Sequence, residues 1–514
     1  MSVNLSRRGF FALSGVAGTS LLVGCGPAAG TGAGSSTPVR GGRVRALFPG
    51  GGAKETLDPH TPPLFLDQAR HKALYDKLTE LGSDMRPVPR LAEKWESNAD
   101  ATIWRFTLRQ ARFHDGRALT PDDVLASLAR ILDPADPTRT AKNLLSALDL
   151  ANSRAVGTTV VELATKVPAA ELPALLSGTG NAIVPADFRD PAKAVGTGPF
   201  SLVSFDRGES MVGKRFEDFW GGAAHIDELH LLSASDESAR GNALLGGEAE
   251  YAHDLSATFA RTNEANPAIA VLAAQASVMQ GFALRTDQAP FDNPDVRKAF
   301  MLLADRQRLV DVALSGQGQV GNDLFGKGFE YFAGDIPQRG RDVAEAKNLL
   351  LKAGAENLEV TLHTADLAAG MVNAAALFAE QLREAGVKVT VDNRAKETYF
   401  TDILTGSGIW SYRAGAAPIP QNLALRMVSD AKQNVTGWRD PAFDETFVKA
   451  QSTVDDAARG ALYHRMQQTL HDRGGMLVWG YSDWLVGTSA RLRGAKAAQP
   501  NTEDWARYDK VWLA

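Results

Sequence analysis

The spacing of apolar residues along this chain switches repeatedly between strand period and helix period, which predicts an α/β protein. Residues 43–48 alternate and then break at Pro49-Gly50-Gly51-Gly52, a strand entering a loop. Residues 104–109 alternate in the same way and lead to the turn residues His114-Asp115-Gly116. A helix is predicted from Thr120. Its hydroxyl can cap, Pro121 sits in the first turn where no N–H is needed, and Asp123 takes the capping-box position. Val124, Leu125, Leu128, Ile131 and Leu132 then form one apolar face. Asp292-Asn293-Pro294 opens a second helix, and Asp342 with Glu345 a third. Residues 358–362 read as a strand, 372–385 as a helix and 387–391 as a strand, a βαβ-type unit. A long helix from about 455 to 472 precedes an apolar strand at 476–481.

The first apolar run has a different origin. It follows Arg7 and Arg8, runs from Phe10 to Val23 and ends at Cys25, the one cysteine in the chain. A positive start followed by an apolar stretch is the layout of an export signal. Interrupted by Gly15 and Gly18, the stretch is short of the roughly 20 residues that cross a bilayer. Leu22-Val23-Gly24-Cys25 resembles the lipobox of bacterial lipoproteins, which implies a signal peptide over 1–24 and lipid on Cys25. Ser6 to Phe11, SRRGFF, resembles the twin-arginine signal of the route that exports folded proteins. The small and polar residues at 25–42 then read as a tether. These features together place the protein on the outer face of the cytoplasmic membrane, held through its lipid.

From Cys25 onward 490 residues remain, more than one hydrophobic core usually organises, so two or three domains are expected. With 55 Lys+Arg against 60 Asp+Glu, the formal charge of -5 becomes -7 once Arg7 and Arg8 are removed. A mild, dispersed acidic excess argues against a nucleic-acid surface. With Cys25 committed to lipid, no disulfide is available. No HExxH, CxxC, GxSxG or P-loop string occurs, so the motifs recruit neither an enzyme nor a cofactor.

Several strings together resemble the family 5 extracellular solute-binding proteins, the peptide- and nickel-type receptors of ABC importers. They are TLDPHTPP at 56–63, ALYDKLTEL at 73–81, the long PRLAEKWESNADATIWRFTLRQARFHDGRALTPDDVLASLARI at 89–131, VGTGPFSL at 195–202, DNPDVRKAFMLLADRQRLV at 292–310 and GWRDPAFD at 437–444, in the family's order. The resemblance covers roughly 43–514. It implies an α/β, two-lobed periplasmic-binding-protein-like fold with a hinge and an extra inserted domain beside lobe I. Lobe I is expected at 43–72, 190–275 and 482–514, the inserted domain at 73–189 and lobe II at 276–481. The hinge would lie at the two crossings near 277–287 and 479–483. Binding between the lobes, with no bond made or broken, is the implied function. The implied partners are a small-molecule or peptide ligand and the permeases of an ABC importer, with the protein itself a monomer.

Glycine and histidine strings invite chemical readings that the residues do not sustain. His114-Asp115-Gly116 reads as a turn, and Gly196-Thr197-Gly198-Pro199, with no Lys and no capped helix after it, as a tight backbone turn. His225, Asp227, Glu228 and His230 are the richest metal-type cluster, but on a strand they split between two faces, so no metal is expected. The better ligand-binding candidates lie in 406–418, which reads as a glycine-broken, aromatic loop brought close to a ligand. Peptide-binding members of the family place an aspartate there for the ligand ammonium, whereas 411–421, SYRAGAAPIPQ, contains no acid. Arg413 instead offers a planar fork for an anion, or it neutralises a protein carboxylate. Trp410, Tyr412 and Trp438 are expected as flat apolar walls, with Tyr481, Asp483 and Trp484 at the second crossing facing the cleft or packing the hinge. The expected ligand is a small organic solute: an acidic or modified peptide, a sugar or a chelate. An ordinary oligopeptide receptor would need a carboxylate from elsewhere in the fold, and a sensor or adhesion lipoprotein would keep the fold without a transporter.

Overall fold

The computed structural model describes residues 37–514 except 51, 53, 54, 62, 137, 140, 369, 396 and 397. Arg7, Arg8 and Cys25 lie outside the described residues. Two long strands, Ile269–Leu284 and Met476–Ser489, pair antiparallel from Ile269↔Ser489 to Ala283↔Met476, with the register shifting between Ala274 and Val278. On one flank Met476–Ser489 pairs with Tyr251–His253, and the sheet continues through Arg43–Phe48, Glu228–Ser233, Ser210–Arg215 and Phe200–Asp206. On the other, Ile269–Leu284 pairs with Ile409–Gly415, followed by Glu359–Thr364 and Lys388–Asn393. These ten strands, with Gly318–Val320 pairing on Met476–Ser489 as the eleventh, join into one 11-stranded sheet whose halves belong to two lobes. Within each half the inner strands run parallel.

Burial follows this division. The first lobe packs Phe48, Leu66, Leu74, Leu229 and Trp484 into one core. In the second lobe both sheet faces are covered. Phe282, Leu477 and Trp479 pack on one face against Phe300, Leu309 and Phe378, and Met279, Trp410 and Val478 on the other against Tyr463 and Met466. A separate four-stranded antiparallel sheet, Ala92–Ser97, Ile103–Leu108, Val160–Thr165 and Leu148–Val156, shares its core with helix Pro121–Leu132 through Phe106, Val161, Val124 and Leu128.

The helix at Pro121–Leu132 starts where its caps require, with Thr120 and Asp123 bonded reciprocally. Pro294–Leu303, Val343–Lys352, Met371–Arg383 and Asp456–Arg473 likewise form near the positions their periodicity predicts. Two expectations are corrected. The strand predicted to end at 481 runs on to Ser489, because Trp484, Leu485 and Val486 pair with Leu272–Ala274 beyond the polar Ser482-Asp483 step. The supposed loop at 406–418 contains the strand Ile409–Gly415, and Ile409, Trp410, Ser411 and Tyr412 are all buried in it. β-forming residues inserted between two strands outweigh the flanking glycines.

The family-like strings knit the junction between the small sheet and the first lobe. His114 Nε2 meets the Gly198 carbonyl at 3.0 Å, while its backbone N–H donates to the Gly196 carbonyl. A Cβ on Gly196 or Gly198 would come within 2.1 Å of the Leu74 oxygen or 2.5 Å of the Ala73 oxygen, so the close approach requires glycine. Asp58, 8% exposed, accepts from both prongs of Arg130 at 2.9 and 2.7 Å and from Arg139 at 2.8 Å. Burial pushes the Asp58 carboxyl upward, but these hydrogen bonds outweigh it and hold the group well below the usual carboxylate range. Asp58→Ala should therefore cost about 3–5 kcal/mol in denaturant unfolding, since it leaves two arginines without their buried partner. The depressed pKa sets the sign with pH. Asp58 stabilises fully above the unfolded carboxylate pKa of about 3.9, and that contribution fades as pH falls toward the folded value. Acid unfolding of the wild type should accordingly lose more stability over that window than the variant does.

Candidate functional site

The parallel strands of the two lobes end toward a shared cavity of ≈ 390 Å³. Its first-lobe wall includes Glu237 and Arg240, which follow strand Glu228–Ser233, and Asp254, which follows Tyr251–His253. Its second-lobe wall includes Leu367, Ala368 and Gly370 after Glu359–Thr364, together with Arg413 near the end of Ile409–Gly415. Gln280, Ser482 and Asp483 on the crossing strands complete it. Loops at the carboxyl ends of parallel strands are where open α/β sheets bind ligands.

Arg413 sits opposite Gln280 in the ladder, and its guanidinium makes no hydrogen bond or ion pair among the described residues. Burial lowers its pKa, against the opposing field of Asp254. Asp254 stands at φ +58°, a left-handed conformation that Asp tolerates better than most residues. Its position is fixed by Arg240, 3% exposed, whose guanidinium donates to the carbonyls of Ala234, Ser235, His253 and Asp254 at 2.8 to 3.0 Å. The Asp254 carboxylate itself has no hydrogen bond among the described residues, and crowding by protein raises its pKa, opposed by Arg240 and Arg413. Asp483 accepts from the Ala276 N–H at 3.0 Å and is likewise raised by burial. One cavity thus presents an unpaired guanidinium, that of Arg413, and three carboxylates without ion-pair partners among the described residues, Glu237, Asp254 and Asp483, of which Glu237 accepts from the Ser256 N–H at 2.8 Å. Sequence reading missed Asp254, which becomes significant only when its segment is placed against Arg413 from more than 60 residues away, and it left open whether Asp483 at the second crossing faces the cleft.

The other sequence candidates lie elsewhere. Alternation along Ile409–Gly415 puts Trp410 and Tyr412 on the sheet face opposite Arg413, where they join the core with Tyr463 and Met466. Trp410 is 2% exposed, packs at a tilt against the His363 ring at 4.3 Å and donates its Nε1–H to the Ser407 carbonyl. The Tyr412 hydroxyl accepts from Arg426. Trp438, 6% exposed, packs edge-on against Phe443. Tyr481 is buried on the Trp410 face, with its hydroxyl donating to the Leu324 carbonyl. The five residues do not form one site, and the apolar walls expected from Trp410, Tyr412 and Trp438 are core instead. In the histidine-rich strand, Glu228 and His230 share a face and meet at 3.2 Å, while Arg43 also engages Glu228 and Arg215 engages Asp227. No cluster of metal-ligating side chains occurs among the described residues.

Known proteins share both sequence and architecture with this chain. The sequence profile described as Bacterial extracellular solute-binding proteins, family 5 Middle, matches residues 86–428. The Glutathione-binding protein GsiB of Pectobacterium atrosepticum is 26% identical over 476 residues, covering 88% of this chain and 90% of that protein. Helicobacter pylori DppA, solved in complex with the peptide STSA, superposes with TM-score 0.77 at 22% identity over 92% of this chain and 98% of its own. AgaA of A. tumefaciens R10, solved with agropinic acid, gives TM-score 0.74 at 25% identity over 92% and 99%. No described helix is long and apolar enough to cross a membrane. With a profile match over more than half its length and a two-lobed α/β fold, the chain belongs to the family 5 bacterial extracellular solute-binding proteins, non-enzymatic receptors that serve ABC importers.

Proposed function

We propose that this receptor captures a small zwitterionic, amino-acid-derived solute of the peptide class between its lobes and delivers it to the permeases of its importer. The observation that carries the reading is the unpaired Arg413 guanidinium sharing one cavity with Asp254 and Asp483. Charges crowded by protein without partners are costly, and a ligand bringing a carboxylate and an ammonium supplies both partners at once. The acid that segment 411–421 lacks is supplied by the other lobe and the crossing strand. Relatives named for glutathione and for peptides support the same ligand class. Lobe I is assigned to 43–72, 190–275 and 482–514, the inserted domain to 73–189 and lobe II to 276–481. Closure of the lobes on the solute would give the importer a shape distinct from the empty one.

The cellular part of the proposal rests on the N-terminal sequence: export directed by Arg7 and Arg8, lipid on Cys25, and a monomer on the outer face of the cytoplasmic membrane. Cys25→Ser should move the mature protein from the membrane fraction to the soluble fraction. Equal membrane retention with the same N-terminus would refute the anchor.

Mass spectrometry of solutes released on denaturation, followed by calorimetry with the compound found, tests the ligand. Arg413→Ala should weaken binding by about 2–5 kcal/mol, roughly 30-fold to several thousand-fold, and Arg413→Lys should recover part of that loss. Asp254→Asn should weaken the free-amine ligand far more than its N-acetylated form. Trp410→Ala should instead lower stability by about 3–5 kcal/mol and leave the affinity of the folded protein unchanged. The raised pKa values of Asp254 and Asp483 fix the pH dependence. Each must be ionised to hold an ammonium, so affinity should fall with decreasing pH from above the ordinary carboxylate range. Wild-type affinity in Arg413→Ala would overturn the reading.

A further inference from the structure

The charges that line the interlobe cavity do not sum to zero. Glu237, Asp254 and Asp483 face Arg240 and Arg413, and no lysine or histidine joins them in the lining. Four of the five form a balanced group. Asp254 lies in the field of Arg240, Arg413 and Glu237, and Arg240 in turn in the field of Glu237. Asp483 is the remainder. Arg413 pairs with Gln280 and Gln280 with Gly480, so Asp483 stands three residues further along its strand, away from the Arg413 level. No charged side chain among the described residues acts on it.

The Asp483 carboxylate is also only half used by the protein. One oxygen accepts from the Ala276 N–H at 3.0 Å, a contact that a neutral amide oxygen would make equally well. The other makes no hydrogen bond among the described residues and is not sealed off by protein. The Arg413 guanidinium is open in the same way, with none of its nitrogens enclosed. Beside Asp483 the lining is Ser482, Gln280 and Gln317, whose neutral side chains leave its charge uncompensated. A solute with one carboxylate and one ammonium answers Arg413 and Asp254 and leaves Asp483 without a partner. Partly desolvated carboxylates in that state are costly, and a second cation on the ligand removes the cost.

We propose, building on the interlobe reading above, that the solute is net cationic: a basic amino acid or a short basic peptide whose carboxylate meets Arg413, whose α-ammonium meets Asp254 and whose side-chain cation meets Asp483. Asp483 is then the residue that selects basic over neutral members of the class.

Calorimetry of the full mature protein with glycyl-lysine against glycyl-norleucine, and with lysine against norleucine, tests the assignment, because each pair differs in the side-chain ammonium alone. In at least one pair the basic member should bind about tenfold or more tightly than its neutral partner, the scale of one charge-assisted hydrogen bond. The pair that shows the preference tells an amino acid from a peptide. Asp483→Asn, which keeps an oxygen for the Ala276 N–H, should bring that ratio below about twofold. Equal affinities within both pairs overturn the inference, and Arg413→Ala then shows how far the failure reaches. Weaker binding in Arg413→Ala leaves the interlobe reading standing, whereas wild-type affinity there removes both. Absence of binding by all four probes in the low-millimolar range overturns the inference, and so does a preference that survives in a folded Asp483→Asn. If Asp483→Asn does not fold, the solute released from the wild type on denaturation decides, and a solute with a single basic group overturns the inference.

Discussion

The antiparallel ladder between Ile269–Leu284 and Met476–Ser489 is the constraint on which the rest of the structure depends. Each strand contributes to both lobes, so the ladder is at once part of two cores and the connection between them. Its register shift between Ala274 and Val278 falls where the chain passes from one lobe to the other. There the Asp483 carboxylate accepts from the Ala276 N–H, covering a backbone donor at the shift. A backbone paired this continuously resists shear along the strands while still permitting twist. Lobes joined in this way can change their separation without losing the alignment of Gln280, Ser482 and Arg413 beside them.

Most of the residues that make the sequence recognisable serve the junctions, not the ligand. Asp58 of TLDPHTPP is saturated by Arg130 and Arg139, and His114 is occupied by the Gly196–Gly198 backbone. Asp76 of ALYDKLTEL takes Arg90 at 2.6 Å, Trp220 Nε1 at 2.8 Å and the Thr197 hydroxyl. Buried charges satisfied this fully specify how the small sheet docks on the first lobe and have little capacity left for a solute. The groups left unsaturated, Arg413 and Asp254, stand outside those strings.

This contrast explains what was legible in the sequence. Helix Pro121–Leu132 was readable because its caps and apolar face are local, and the two-lobed fold because the strings occur in order. The site was harder to read. Arg413 stood out through the missing acid beside it, but Trp410 and Tyr412 were grouped with it by sequence proximity, although on a strand adjacent side chains point apart. Flanking glycines give the segment the composition of a loop, and only pairing on both sides makes Ile409–Gly415 central. Asp254 carries no local signal, since a lone acid beside a strand is usually a solvated turn residue, and Asp483 has only its place at the second crossing.

In the proposed reading, Arg240 is what turns an ordinary aspartate into a binding group. Its guanidinium makes four hydrogen bonds to backbone carbonyls of two strand exits, so its charge is hydrogen-bonded but not neutralised by a carboxylate. That arrangement pins Asp254 in a left-handed conformation and places a positive field behind a carboxylate whose pKa the surrounding protein raises. The ordering entropy of the loop is thus met on folding and not on binding, leaving more of the ion-pair energy for the solute. Arg413 is held with the same economy by the ladder beneath it. In the proposed reading the two charged groups stand on opposite lobes, so a zwitterion would gain its full set of contacts only when the lobes meet, which would tie recognition to closure.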